Sequence, residues 1–198
     1  MEILMRAVLL LLFSALLAFA GDPFITKAHA RILPKIMALD TSLTSKTDTS
    51  KKNFAVVYDS NQRSEAQSIA DEINKIYNGK VAALSFSAIP VSANELLERK
   101  DIAFVYVVYK CNPKMLKKIA AWSIENTVPA FSYDVADLEY GILGSIAIER
   151  STIIYVNKKT LKEGKFHFDE ALYQIARFIE WTILKTPDSQ QNCSYRSL

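Results

Sequence analysis

The sequence predicts a single-domain α/β fold: a mostly parallel sheet with flanking helices and a C-terminal antiparallel hairpin. Three observations carry that prediction. Short apolar runs free of charge, at residues 54–57 and 102–109, have the continuous hydrophobicity of strands buried on both faces. Helical spacing returns between such runs, and the order strand, helix, strand, short helix, strand, helix, strand calls for right-handed crossovers between parallel strands. Two later strand-like segments, 145–148 and 152–156, are separated only by Glu149, Arg150 and Ser151, too few residues for a crossover helix, so they form a hairpin.

Taken in order, residues 1–20 read as a secretory signal peptide. Arg6 gives a basic start, residues 7–17 are almost unbroken apolar, and Ala18, Phe19 and Ala20 form a small-x-small cleavage site before Gly21. The apolar run is well short of the roughly 20 residues a permanent span requires, so cleavage near Ala20 is expected in preference to anchoring. Residues 24–39 place Phe24, Ile25, Ala28, Ile32, Leu33, Ile36 and Met37 on one face of a first amphipathic helix. Residues 41–52 are a polar linker with a single Leu, which leaves two placements for this first helix: aromatic and apolar residues packed in the core, the default, or a helix outside the main sheet that offers an exposed face. A strand at 53–58 ends in Asp59, Ser60 and Asn61. A helix at 64–77 follows through Ala66, Ile69, Ala70 and Ile73, and Asn78 with Gly79 stops it.

A second strand is expected at 81–86, after which Ser92 and Glu95 have the spacing of a capping box that opens a short helix. The charge-free run 102–109 belongs in the middle of the sheet. Pro113 starts a helix through Leu116, Ile119 and Trp122, and 128–133 is a fourth buried strand. After the hairpin, residues 158–163 and 168–184 are read as the closing helices. Residues 21–185 thus make one domain, and 186–198 a tail.

The surface carries 24 basic and 21 acidic residues for a net charge of +3, a mixed pattern that does not predict nucleic-acid binding. Only five glycines are present, with no phosphate-binding loop, no dinucleotide fingerprint and no nucleophile elbow. His29 and His167 are the only histidines and are read as ordinary surface or boundary residues. No metal, no cofactor and no catalytic activity are therefore expected. Cys111 and Cys193 permit one disulfide in an oxidising compartment, and two unpaired thiols are the alternative.

Ligands of open α/β sheets bind beyond the C-terminal ends of the strands, where the strand order reverses. The polar residues expected there are Asp59, Ser60 and Asn61 after the first strand, Ser85 and Ser87 after the second, Lys110 and Asn112 after the third, and Ser132, Tyr133 and Asp134 after the fourth. They form a ring suited to hydrogen bonding a small molecule. The same residue types also cap helices and make turns for local reasons.

From Asp134 onward the sequence resembles the YfiR-like family of periplasmic proteins. Asp134 stands for the Asp after a strand, Gly141 and Gly144 for a glycine pair, Val156 and Asn157 for the end of the hairpin, Gly164 for a helix stop and Leu172 for the last helix. The first helix, with Ile32, Leu33, Ile36 and Met37, resembles that family's first helix. The resemblance implies a non-catalytic periplasmic regulator that binds the sensor domain of an inner-membrane signalling protein, a diguanylate cyclase or a kinase, in cyclic-di-GMP signalling, and that forms homodimers. The series of strands and helices equally suggests a small solute-binding protein of a transport system, which would close its cleft by dimerising.

Overall fold

A computed structural model describes residues 22–44, 51–109 and 111–180. The expected signal peptide, Lys110, Cys193 and the tail lie outside the described residues. The elements are α1 (Pro23–Ala38), α2 (Thr41–Thr44), β1 (Lys52–Tyr58), α3 (Arg63–Tyr77), β2 (Lys80–Val81), β3 (Leu84–Ser92), α4 (Ala93–Leu96), β4 (Ile102–Val107), α5 (Pro113–Asn126), β5 (Ala130–Ser132), a 3-10 helix (Val135–Tyr140), β6 (Gly144–Ile148), β7 (Thr152–Asn157), α6 (Lys158–Glu163), α7 (Glu170–Ile175) and β8 (Ala176–Ile179).

Eight strands form one sheet in the order β2-β3-β1-β4-β5-β6-β7-β8. β3, β1, β4, β5 and β6 are parallel, and β7 turns back antiparallel to β6. Period-two alternation sorts the buried strands between two layers. Phe54, Phe104, Tyr106 and Phe131 point to the face covered by α1 and α3, where Phe54 stacks on Phe104 at 5.1 Å and Phe104 on Phe131 at 5.3 Å. Ala55, Val57, Val105 and Val107 point to the face covered by α4 and α5, with Leu116, Ile119 and Trp122 above them. Local chemistry sets the helix ends. Asn112 accepts from the Lys114 amide at 2.9 Å to start α5 ahead of Pro113, and Ser92 accepts from the Glu95 amide at 3.2 Å to start α4.

Four expectations are decided by the structure, three of them as corrections. The segment expected as one strand at 81–86 is a tight hairpin: β2 pairs antiparallel with β3 across Ala82, held at φ 48°, and β3 runs on through Pro90 to Ser92. The closing helix expected over 168–184 stops at Ile175, and Ala176–Ile179 joins the sheet beside β7 in parallel. The open hydrogen-bonding edge of β7 and the β-favouring side chains of Phe178 and Ile179 override helical spacing there. The first helix takes the core placement and not the one outside the sheet. Leu33, Ile36 and Met37 are buried against it, because the apolar stripe of α1 continues the main core.

His29 is the fourth. It is fully buried, not a surface or boundary residue, and its imidazole fastens α1 to the sheet: Nδ1 is 2.9 Å from the Tyr106 hydroxyl and Nε2 is 2.8 Å from the Ile146 carbonyl oxygen. A carbonyl only accepts, so Nε2 carries the proton and the Tyr106 hydroxyl donates to Nδ1. Burial holds the imidazole neutral down to about 4.

Candidate functional site

β1 sends its crossover to one side, through α3 to β3, and β4 sends its crossover to the other, through α5 to β5. The chain therefore parts between the ends of β1 and β4, leaving a crevice at the switch point of strand order. The register makes it deeper on one flank. Ser132, at the end of β5, pairs with Ser145 near the start of β6, so the β6–β7 hairpin rises past the strand ends as a wall.

The loop after β1 supplies Asp59, Ser60, Asn61 and Gln62. Ser60 takes φ 56°, which turns the chain sharply into α3. Asp59 Oδ1 accepts from the Ser60 hydroxyl at 3.2 Å, and Oδ2 accepts from the Asn112 amide at 3.3 Å, joining the two sides of the crevice. Gln62 spans the same gap by donating from Nε2 to the Tyr109 carbonyl. Its other amide atom, Oε1, is the one buried side-chain oxygen or nitrogen among the described residues without a hydrogen-bond partner.

Aromatic rings make the next flank. Tyr109 meets Tyr133 edge to face at 5.1 Å, and His29 lies 5.4 Å from Tyr133 on the inner side. The Tyr133 hydroxyl accepts from the Asp22 amide at 3.1 Å, which sets the start of α1 at the rim. Among the described residues, Asp59, Asp134 and Asp137 bring carboxyl groups to the rim. Asp134 caps the 3-10 helix by accepting from the Ala136 amide at 2.9 Å, and its charge, after burial, helps push the Asp137 carboxyl up to about 7. Burial, then Asp59 and Asp137, push the Cys111 thiol up to about 12, so Cys111 is a protonated core residue and no nucleophile.

Of the residues expected at the strand ends, Asp59, Ser60, Asn61, Asn112, Ser132, Tyr133 and Asp134 gather here. Ser85 and Ser87 do not. Ser87 pairs with Asn53 at the start of β1, and Ser85 with Lys80, so both sit at the opposite end of the sheet; the strand continues past them and Ser92 occupies the level of Tyr58. Sequence reasoning missed Gln62, Tyr109 and Asp137. Gln62 immediately precedes α3 at a position where Asn, Asp, Ser or Thr would cap, and that departure was the available signal.

The motif residues have packing roles. A Cβ on Gly144 would lie 2.4 Å from the Phe131 ring, and one on Gly164 would lie 2.1 Å from Phe166. Gly141 closes the 3-10 helix at φ 94°. Asn157 ties three segments together, donating to Leu138 O at 3.0 Å and accepting from the Lys159 and Thr160 amides. Among the described residues, no three His, Cys, Asp or Glu side chains converge to hold a metal ion, and no helix is long and apolar enough to cross a membrane.

No family model and no curated protein matches the chain. Solved structures do. A conserved domain protein from Vibrio cholerae O1 biovar El Tor is 10% identical with a TM-score of 0.53, covering 77% of this chain and 59% of that one. The ligand-free, open structure of CD0873 from Clostridium difficile, a substrate binding protein with adhesive properties, is 14% identical with a TM-score of 0.52, covering 75% of this chain and 60% of that one. The chain thus spans about three-fifths of the length of either structure. The likeness establishes a shared α/β fold.

Proposed function

We propose that this protein is an exported solute-binding protein that recognises a small molecule at the crevice between the ends of β1 and β4. The observation that carries the reading is Gln62: a buried amide oxygen left unpaired costs about 1–3 kcal/mol, and it sits at the switch point where such sheets take ligands. A ligand N–H or O–H donor would satisfy it. Tyr109 and Tyr133 offer an aromatic flank, Asp59 and Asn61 a polar one, and the likeness to a substrate binding protein supports the same reading. The regulator of a membrane sensor that the family resemblance implies takes second place, because the structural likeness is to a substrate binding protein.

The test is a thermal-shift screen of amino acids, short peptides, sugars and nucleosides against the wild type and Gln62→Leu. One compound class should raise the melting temperature with concentration, following RT ln(1 + [L]/Kd), and Gln62→Leu should lose that response. A flat screen, or a shift that Gln62→Leu retains, would count against the crevice.

A further inference from the structure

α1 starts at Tyr133, beside the crevice, and its far end is pinned where Asp40 bridges to Phe168 and the Asp169 amide donates to Leu39 O at 2.8 Å. Beside that far end, between α6 and α7, runs an open groove of about 360 Å3. Its basic lining is Lys158, Lys162 and Lys165, with His167 beside them, and its apolar lining is Leu161, Phe166 and Tyr173. Lys158 is balanced by Glu180 at 3.8 Å, and His167 lies near the buried carboxyl of Asp40. Glu163, the one acid of α6, pairs with Lys159 at 3.9 Å. Among the described residues, Lys162 and Lys165 have no acidic partner.

The backbone at Lys165 runs against local preference. The Phe166 amide reaches Leu161 O and the Lys165 amide reaches Lys162 O, both at 3.2 Å, which is the Schellman ending of a helix. Its left-handed residue, at φ 51°, is Lys165, where glycine is the usual occupant. Gly164 occupies the preceding position because the Phe166 ring fills the space of its Cβ. A lysine thus stands where glycine would relieve the turn, and its side chain lines the groove.

We propose that this groove binds a small organic oxyanion, a carboxylate or phosphate on an apolar body, with Lys162 and Lys165 holding the charge and Tyr173 and Phe166 receiving the body. Charge complementarity selects the anion, and the aromatic lining selects a substituted over a bare one. The site is separate from the crevice and does not depend on it.

Phenyl phosphate, inorganic phosphate and phenol serve as probes in calorimetric or NMR titrations of the full chain. Phenyl phosphate should bind saturably and tightest, and should weaken as salt is raised. Lys165→Gly should weaken it about ten-fold while raising the melting temperature by about 2 °C, so lost binding cannot be ascribed to a damaged fold. Tyr173→Ala should remove the preference for phenyl phosphate over inorganic phosphate, and Gln62→Leu should change nothing. Equal binding of phenyl phosphate by the wild type and by a Lys162→Gln, Lys165→Gly double variant would overturn the proposal. So would capture by phosphatidylglycerol vesicles with no saturable phenyl phosphate binding, which would assign the basic face to a membrane surface instead.

Discussion

On one face of the sheet, α4 and α5 lay Leu96, Leu116, Ile119 and Trp122 over Ala55, Val57, Val105 and Val107. On the other, α1 lays Leu33, Ile36 and Met37 over an aromatic row, and sets among them an imidazole with both nitrogens hydrogen-bonded. Connectivity explains the contrast. α5 is held at both ends by short loops to β4 and β5, so its place is fixed by the chain and apolar contact suffices. Among the described residues α1 precedes every strand, so its chain connection to the sheet runs from its C-terminal end. Non-directional burial alone would let it slide, and the paired hydrogen bonds of His29 give it one address.

The sharpest test of that contrast is His29→Leu, which keeps the volume and removes the lock. Leaving the Tyr106 hydroxyl and the Ile146 carbonyl unpaired in the core should cost about 3 kcal/mol in urea unfolding, whereas Leu116→Met on the other face should cost less than about 1.5 kcal/mol. Equal costs would dissolve the distinction between the faces.

Acid should act on one face first. His29 titrates near 4 in the fold and at 6.5 when unfolded, so the unfolded chain takes up the proton first. The stabilisation is complete above pH 6.5 and drains away as pH falls through 4, by about 3 kcal/mol in all. A urea series across that window should show the slope in the wild type and a flatter one in His29→Leu. A slope that survives the substitution would place its origin elsewhere.

Asp137 should respond at the other limit. Its carboxyl is raised to about 7, so its ionisation weakens the fold as pH climbs through 7 and has no effect below the usual carboxylate range. Asp137→Asn should gain about 1–2 kcal/mol at pH 8, a figure reduced for its partial exposure, and nothing at pH 4. Smallest of all, Thr127 closes α5 at φ 54° with its side chain in solvent. Thr127→Gly should stabilise by about 1 kcal/mol, read as a shift in the urea midpoint without a change in slope.

The parallel core was legible because strands such as Ile102–Val107 are apolar throughout, and the helices between them carry caps and stops, as at Asn112 and Asn78. The two edges were not. The β2–β3 hairpin turns at Ala82 with neither Gly nor Asn to announce it, and β3 carries Pro90 within its length. At the other edge, the spacing of Leu172, Ile175, Ala176 and Ile179 fits a helix, and only the neighbouring strand decides for β8. The crevice was half legible. Asp59, Ser60 and Asn61 follow a clear strand, but Gln62, Tyr109 and Asp137 gain their meaning from a reversal of strand order that no local pattern records.

The lock on α1 also sets a timetable. The two groups that grip His29 lie 77 and 117 residues further along the chain. During synthesis the first helix therefore emerges long before anything exists for it to grip, and closing so wide a loop comes late and slowly. The second half of that lock must wait until β6 is made, well after α3 and the first strands are there to cover the apolar stripe, so the hydrogen-bonded fixing of α1 is a late step of folding.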